Sequence, residues 1–454
     1  MKIAVVGSGI SGLACAWLLA RHSAGAHQVT LYEQDERLGG HTNTIDVTLE
    51  GHTHPVDTGF LVYNDWTYPN LIALFHELAI ESAPSDMSFG IKLVNETGQG
   101  QIEWCGSNNL ASVFAQPSNA FRPDFWRMLA DLVRFNREAT KLANAATGNP
   151  ALASGTLGEY LDAHAYSAPF RDWYLRPMAA CIWSTPTTKI EAFPLATFIT
   201  FCRNHGLLSV SNRPQWRTVK GGARRYVEAL TRAIPDIRLN ARLTHVSTTA
   251  DGVTFESGSG RESFDHVVLA CHSDQTRTLL GNQHEALTRC LDLIPYQSNT
   301  AILHTDTRLL PDRKRAWAAW NYMDWHRSAV RKNHSDAPVS LTYLINRLQP
   351  LPFAAPVMVT MNPLIVPDPA KVIRTIDYSH PIFLADSAAA KIDLRALQGK
   401  NRTWLAGAWT RYGFHEDGLM SGIAVAKALG ATIPWNTNVP AANDLAARYP
   451  GIDT

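Results

Sequence analysis

The run GSGISG at Gly7–Gly12 constrains the fold of this chain more than any other feature. Ahead of it, Lys2–Val6 is apolar and β-branched, as a buried parallel strand requires. Behind it, residues 13–21 carry Ala, Leu and Trp in a helical run. The glycines fall at the turn between the two. Gly7 permits a tight turn, Gly9 lets the backbone approach a pyrophosphate, and Gly12 lets helix and strand pack closely. The helix then faces the phosphates with unpaired N–H groups, Ser11 lying in its first turn. A second strand, Gln28–Tyr32, runs into Glu33, which lies 21 residues beyond Gly12 and is placed to accept ribose hydroxyls. A lone GxGxxG is weak, but strand, turn, helix, strand and acid in this order describe a dinucleotide site.

The next stretch separates FAD from a nicotinamide cofactor. In RLGGHTNT, Arg37–Thr44, the pair Gly39 and Gly40 gives a second close backbone approach to a diphosphate. Glu33, RLGGHT and then VDTGF at Val56–Phe60 together resemble the amine oxidase and phytoene desaturase superfamily of two-dinucleotide-binding flavoproteins. The resemblance implies that Glu33 binds the adenosine ribose and that Arg37, Gly39, Gly40, His41 and Thr42 hold the diphosphate. It also implies that the segment with Asp57, Thr58, Gly59 and Phe60 passes along the flavin ring. One departure matters: that family usually has Arg after the glycine pair, where this chain has His41, and imidazole holds phosphate less firmly than guanidinium. Noncovalent FAD is expected.

Such a family threads between its domains more than once, so further flavin segments belong downstream. Lys220–Gly222 opens a helix over 222–233, followed by a strand at 238–243 and then Val246, whose backbone the resemblance pairs with the adenine edge. A buried strand is expected at 264–271. In the last segment, TWLAGAWTRYGFHEDGLMSG, a strand ends at Gly407 and Ser421–Gly422 reads as lying just inside a new helix. The resemblance brings the backbone around Asp417, Gly418, Leu419 and Met420 to the flavin, where a helix N-terminus stabilises an anionic ring. That loop, with GGHT and GFLVYNDWTYPNL at Gly59–Leu71, is similar to a bacterial branch associated with cyclopropane-type fatty acyl modification, which resembles the furan fatty acid desaturases. The expected fold class is α/β. A Rossmann-like FAD-binding domain of the amine oxidase type (1–62, 215–282, 396–434) is interleaved with a mixed-sheet-plus-helices substrate domain (63–214, 283–395), and 435–454 form a tail.

With 454 residues, 45% hydrophobic and 18% charged, the chain is long enough for two cores and a large cofactor. A net charge of +1 gives no field for nucleic acid. The six cysteines are scattered, with no CxxC and no histidines at metal-ligand spacing, so neither disulfides nor a metal is expected. One positive charge before a short apolar run makes no signal peptide, and no run of eighteen apolar residues occurs, so a cytoplasmic location is expected. The substrate side holds Trp104, Trp126, Trp173, Trp183, Trp317, Trp320 and Trp325, a lining suited to a lipid or other large apolar small molecule. Basic and aromatic residues interleave over Arg308–Lys332, which raises peripheral contact with a membrane inner face as a second reading against a solvated loop. Oligomeric state is left open.

Polar groups expected near the ring are Tyr63, Tyr412, His415, Glu416 and Asp417, with Tyr412 and His415 as the catalytic candidates. The chain reads as an FAD-dependent oxidoreductase that desaturates a hydrophobic substrate, a methyl-branched unsaturated fatty acyl chain, by hydride transfer to flavin. An amine oxidase and a flavin-binding protein without turnover are the alternatives.

Overall fold

The computed structural model describes residues 1–95, 100–106, 109–146, 149–183, 185–209, 213–257, 260–325, 339–382 and 385–436. Five strands form a wholly parallel sheet in the spatial order Asp236–Arg238, Gln28–Tyr32, Lys2–Val6, His266–Leu269, Thr403–Leu405. Numbered along the chain, this order is 3-2-1-4-5, so the direction of winding reverses beside Lys2–Val6. The crevice at the carboxyl ends of Lys2–Val6 and His266–Leu269 is where such sheets take ligands. Gly7 donates its N–H to the Tyr32 carbonyl at 2.8 Å there, and a Cβ on it would lie 2.8 Å from the Ala270 carbonyl oxygen.

The first helix, Ile10–Arg21, is buried over its first ten residues because it packs on the sheet and also on the last helix, His415–Ala428. The two helices touch through glycine. A Cβ on Gly422 would sit 2.2 Å from the Ser11 carbonyl, and one on Gly12 would sit 1.9 Å from that of Gly7. The last helix therefore begins earlier than its sequence suggests. Ser421 and Gly422 are two turns inside it, Ser421 Oγ donating to the Gly418 carbonyl at 2.6 Å and accepting from Gly407 N at 2.8 Å. Its start is fixed by Asp417, which accepts from the Phe414 N–H at 3.0 Å.

Other boundaries also shift. Residues 236–238 join the parallel sheet, whereas Leu243–Thr248 opens a separate antiparallel meander with Val253–Ser257 and Gly260–Phe264. The helix after Gly222 spans Arg224–Thr231. Seven strands make a second, mixed sheet in the order Val372–Pro381, Tyr296–His304, Met358–Met361, Ser340–Leu344, Trp320–Trp325, Phe89–Val94, Gly100–Gly106. A helical layer led by Pro123–Ala146 shares the core on one side of it. The helix Pro69–Glu77 buries Leu71, Leu74 and Phe75 with the parallel sheet, and Leu287, Cys290, Ala390 and Leu394 pack with the meander. Burial thus draws these pieces of 63–214 and 283–395 to the dinucleotide side. Among the described residues no helix is long and apolar enough to cross a membrane.

Candidate active site

A cavity of about 670 Å³ runs from the crevice of the parallel sheet to the mixed sheet. Its nucleotide end is made of backbone and a few ionic side chains. Gly9 precedes the first helix with no side chain capping the N–H groups, and a Cβ placed on it would meet nothing within 4 Å. Glu33 is buried on this wall, its carboxylate accepting from Ser8 N at 2.9 Å, Ser8 Oγ at 2.5 Å and Asp35 N at 3.0 Å. Arg37 Nη2 donates to the Gly40 carbonyl at 2.8 Å, while Nη1 is buried without a partner. His41 is held neutral: burial, then His272 and Arg37 nearby, push it down to about 4, and its Nε2 has no partner. The cation beside the glycine pair is therefore Arg37 and not residue 41.

The other end is apolar. Leu61, Met87, Phe89, Met178, Ile182, Phe201, Trp216, Trp320 and Tyr343 line it. Among the described residues the carboxylates on the cavity wall are Glu33, Asp35, Asp274 and Asp377; Glu33 is buried against Ser8 and the other three are exposed. His205 is the ionisable imidazole at this end. It closes the helix Leu195–Asn204, where its ring stacks on Phe201 with centroids 3.9 Å apart. Its Nδ1 lies 3.0 Å from the Phe201 carbonyl, which can only accept, so the proton sits on Nδ1 and Nε2 keeps a lone pair. Burial pushes this ring down to about 4.

The model of the family described as flavin containing amine oxidoreductase matches residues 10–346. The chain belongs to this family. This flavoprotein also shares its fold with solved structures over 94% of its length. They include a conjugated-linoleic-acid-producing fatty acid isomerase from P. acnes (14% identity, TM-score 0.63, 98% of that chain covered). Cyclohexylamine oxidase from Brevibacterium oxydans is similar at 15% identity, TM-score 0.64 and 98% coverage. Wild-type putrescine oxidase bound to putrescine is similar at 13% identity, TM-score 0.65 and 99% coverage. No curated protein matches the chain in sequence. The nucleotide end fits the flavin of the family: an unpartnered guanidinium nitrogen, an uncapped helix start and the space above Gly9 make a cradle for an anionic dinucleotide.

Of the residues singled out in the sequence, the cavity wall contains Gly9, Ser11, Glu33, Arg37, Gly39, Gly40, His41, Gly59, Phe60, Gly407 and His415. Gly7 and Gly12 lie behind it, setting the turn. Thr42, Asp57 and Thr58 lie behind it too and tie their loop to distant chain. Thr42 Oγ1 bonds the Tyr226 hydroxyl. Asp57 accepts from Thr44 Oγ1 at 2.5 Å, Gln349 Nε2 at 2.6 Å and Ala223 N at 2.9 Å, and burial raises it to about 6. Thr58 Oγ1 meets the Tyr378 hydroxyl at 2.9 Å. Val246 is a core residue of the meander whose carbonyl accepts from Gln283 Nε2 at 2.8 Å, off the cavity wall.

The last segment differs most from its reading. Leu419 and Met420 are buried in the helix core, and Gly418 packs on Ile10 and Ser11; the backbone that reaches the cavity is Gly413–His415. Glu416 accepts from Asn70 N and Leu71 N, both at 2.9 Å, so it caps the helix Pro69–Glu77. Tyr63 packs against Tyr68 and Phe75. Tyr412 lines a separate hollow of about 40 Å³ with Asp417, Glu416 and His205, and not the main cavity. His415 does line the main cavity, stacked on Phe60 at 3.7 Å, but its Nε2 is 2.8 Å from the Tyr226 hydroxyl and burial takes it down to about 3. It is a neutral ring with its nitrogen engaged, a poor base. Among the seven tryptophans, Trp320 lines the cavity, whereas Trp104, Trp173 and Trp183 are core. His205, His272, Tyr378 and His380 belong to no motif; His205 and His272 stand singly on their segments, and Tyr378 and His380 are two residues apart on the strand Val372–Pro381.

Proposed function

We propose that this flavoprotein binds FAD noncovalently and dehydrogenates a neutral, apolar substrate, a methyl-branched unsaturated fatty acyl chain. The observation that carries the reading is the apolar end of the cavity, which offers hydrocarbon and aromatic walls and, among the described residues that line it, no buried carboxylate to receive an ammonium group. The fold alone does not decide, since a fatty acid isomerase and amine oxidases share it at similar likeness.

The chemistry that the flavin supplies when bound is acceptance of a hydride from a substrate carbon. The chain does the remainder. Arg37 and the start of the first helix hold the diphosphate, and Glu33 takes the adenosine ribose. Phe201, Met178, Ile182 and Tyr343 hold the acyl chain and exclude water. His205 Nε2 receives the proton that leaves the carbon next to the oxidised one, so that a C–H pair becomes a C=C bond. A carbon beside a developing allylic cation is strongly acidic, so a base depressed to about 4 suffices and is already unprotonated at neutral pH.

Turnover separates the readings. Purified protein given a methyl-branched unsaturated phospholipid is expected to produce conjugated-diene absorbance, and no peroxide from polyamines or aromatic amines. Peroxide from amines with lipid unchanged would make it an amine oxidase, and no turnover of either would leave a binding protein. Acid precipitation is expected to release the yellow colour to the supernatant; colour kept in the pellet would contradict noncovalent binding.

A further inference from the structure

Far from the motifs, the helix Pro123–Ala146 turns Phe125, Met128, Phe135 and Ala139 into the core, as its 3.6-residue period requires. Its outward face is not polar throughout. Trp126 is 52% and Val133 61% exposed, and with Ala130 they stand at i, i+4 and i+7 on one stripe. The turn before the helix adds Phe121, 88% exposed, and Trp126 Nε1 is tied to that turn by a 2.9 Å bond to the Ala120 carbonyl. The Phe114 ring lies 5.4 Å from Trp126, and Leu110, four residues before it, is 75% exposed. The short helix Leu110–Val113 in turn contacts the turn Lys314–Ala316.

Cations rim this apolar strip. Arg127 and Arg137 are two-thirds exposed, Lys314 and Arg315 are exposed, and Arg122 is half-buried. The acids nearby are fewer or engaged elsewhere. Asp124 and Glu138 approach Arg127 and Arg137 only to 3.9 Å, Asp131 faces Arg134 at 2.9 Å and Ser167 N at 2.9 Å, and Asp312 holds Lys92 at 2.7 Å.

We propose that this face, Leu110, Phe121, Trp126 and Val133 with their cationic rim, docks the protein on an anionic lipid bilayer. Protruding apolar side chains enter the headgroup boundary while Lys and Arg meet lipid phosphates. A second copy of the chain would bring the same cations face to face, which disfavours a symmetric protein contact here. The surface is distinct from the basic and aromatic stretch Arg308–Lys332: only Lys314 and Arg315 are shared, and Arg327, Arg331 and Lys332 lie outside the described residues. The proposal deepens the acyl-substrate reading, because a phospholipid chain must be drawn from a bilayer.

The test needs no turnover. Flavin-loaded full-length protein is sedimented with phosphatidylcholine vesicles, alone or mixed with phosphatidylglycerol. Co-sedimentation with the mixed vesicles only, with a blue shift of tryptophan emission, is expected. The variant Leu110→Ser, Phe121→Ser, Val133→Ser is expected to lower the bound fraction roughly tenfold or more while keeping its flavin, and Lys314→Glu with Arg315→Glu to lower it at low salt and leave it less sensitive to added salt than the wild type. Wild-type protein left in the supernatant, a triple variant that binds equally, or a change of oligomeric size in place of lipid binding would overturn the docking surface. None of these results touches the acyl reading, which stands or falls on flavin reduction.

Discussion

The two ends of the cavity are built of different material. The nucleotide end is backbone: glycines without side chains, the start of a helix, and two ionic groups, Glu33 and Arg37, held by neighbours within a few residues or one strand. The apolar end is side chains alone, brought from segments as far apart as Met87, Met178, Phe201 and Tyr343. The first kind of site tolerates almost no change of shape and places a ligand by geometry. The second tolerates repacking and chooses a ligand by polarity.

That contrast breaks first at Gly12. A Cβ 1.9 Å from the Gly7 carbonyl cannot be accommodated, so Gly12→Val is expected to yield no soluble flavin-bound protein. Gly9→Ala is its control. The added methyl meets no protein atom, so melting should be almost unchanged while flavin is lost, and a Gly9→Ala protein that keeps its flavin would place the cofactor elsewhere. At the apolar end, His205→Phe is expected to lower kcat on the proposed acyl substrate by roughly 10²-fold or more with KM little changed, and to remove the fall in rate as pH drops towards 4. Equal losses in kcat and kcat/KM for flavin-saturated Arg37→Ala are not expected. That variant should raise the Kd for flavin by roughly 10- to 100-fold, as for a lost charge-assisted hydrogen bond, read by titrating flavin-free protein.

A smaller effect is thermodynamic. His41, His272, His380 and His415 are all pushed down to about 3 or 4, chiefly by burial. Unfolded, they bind protons near pH 6.5, so their contribution is full above that value and is lost as pH falls towards 4. Denaturant unfolding of the flavin-free protein should lose about 1.4 kcal/mol per pH unit for each proton taken up in this window, and His380→Phe should flatten the slope. Smallest of all, Tyr412→Phe should change turnover by no more than about twofold, since its ring lies outside the cavity.

What could be read from the sequence follows the same division. Strands Lys2–Val6 and Gln28–Tyr32, the glycine turn and Glu33 were legible because local chain geometry dictates them. The start of the last helix is hidden in the sequence because Gly418 and Gly422 look like turn glycines. In the fold they are the close contacts of one helix on another, a fact that depends on Ser11 some four hundred residues away. Asp57 and Glu416 read as flavin neighbours, yet their carboxylates close hydrogen bonds between segments that only the fold brings together. His205 left no signal, because one imidazole in an apolar helix end has no period or spacing of its own.

The most direct test of the division is anaerobic. Flavin-loaded protein is mixed with a methyl-branched unsaturated phospholipid in one cell and with putrescine or cyclohexylamine in another, and the visible flavin absorbance is followed. Bleaching by the lipid alone is the expected result, slowed in His205→Phe and preserved in Tyr412→Phe. Bleaching by the amine, with the lipid inert, would contradict the assignment of the apolar end.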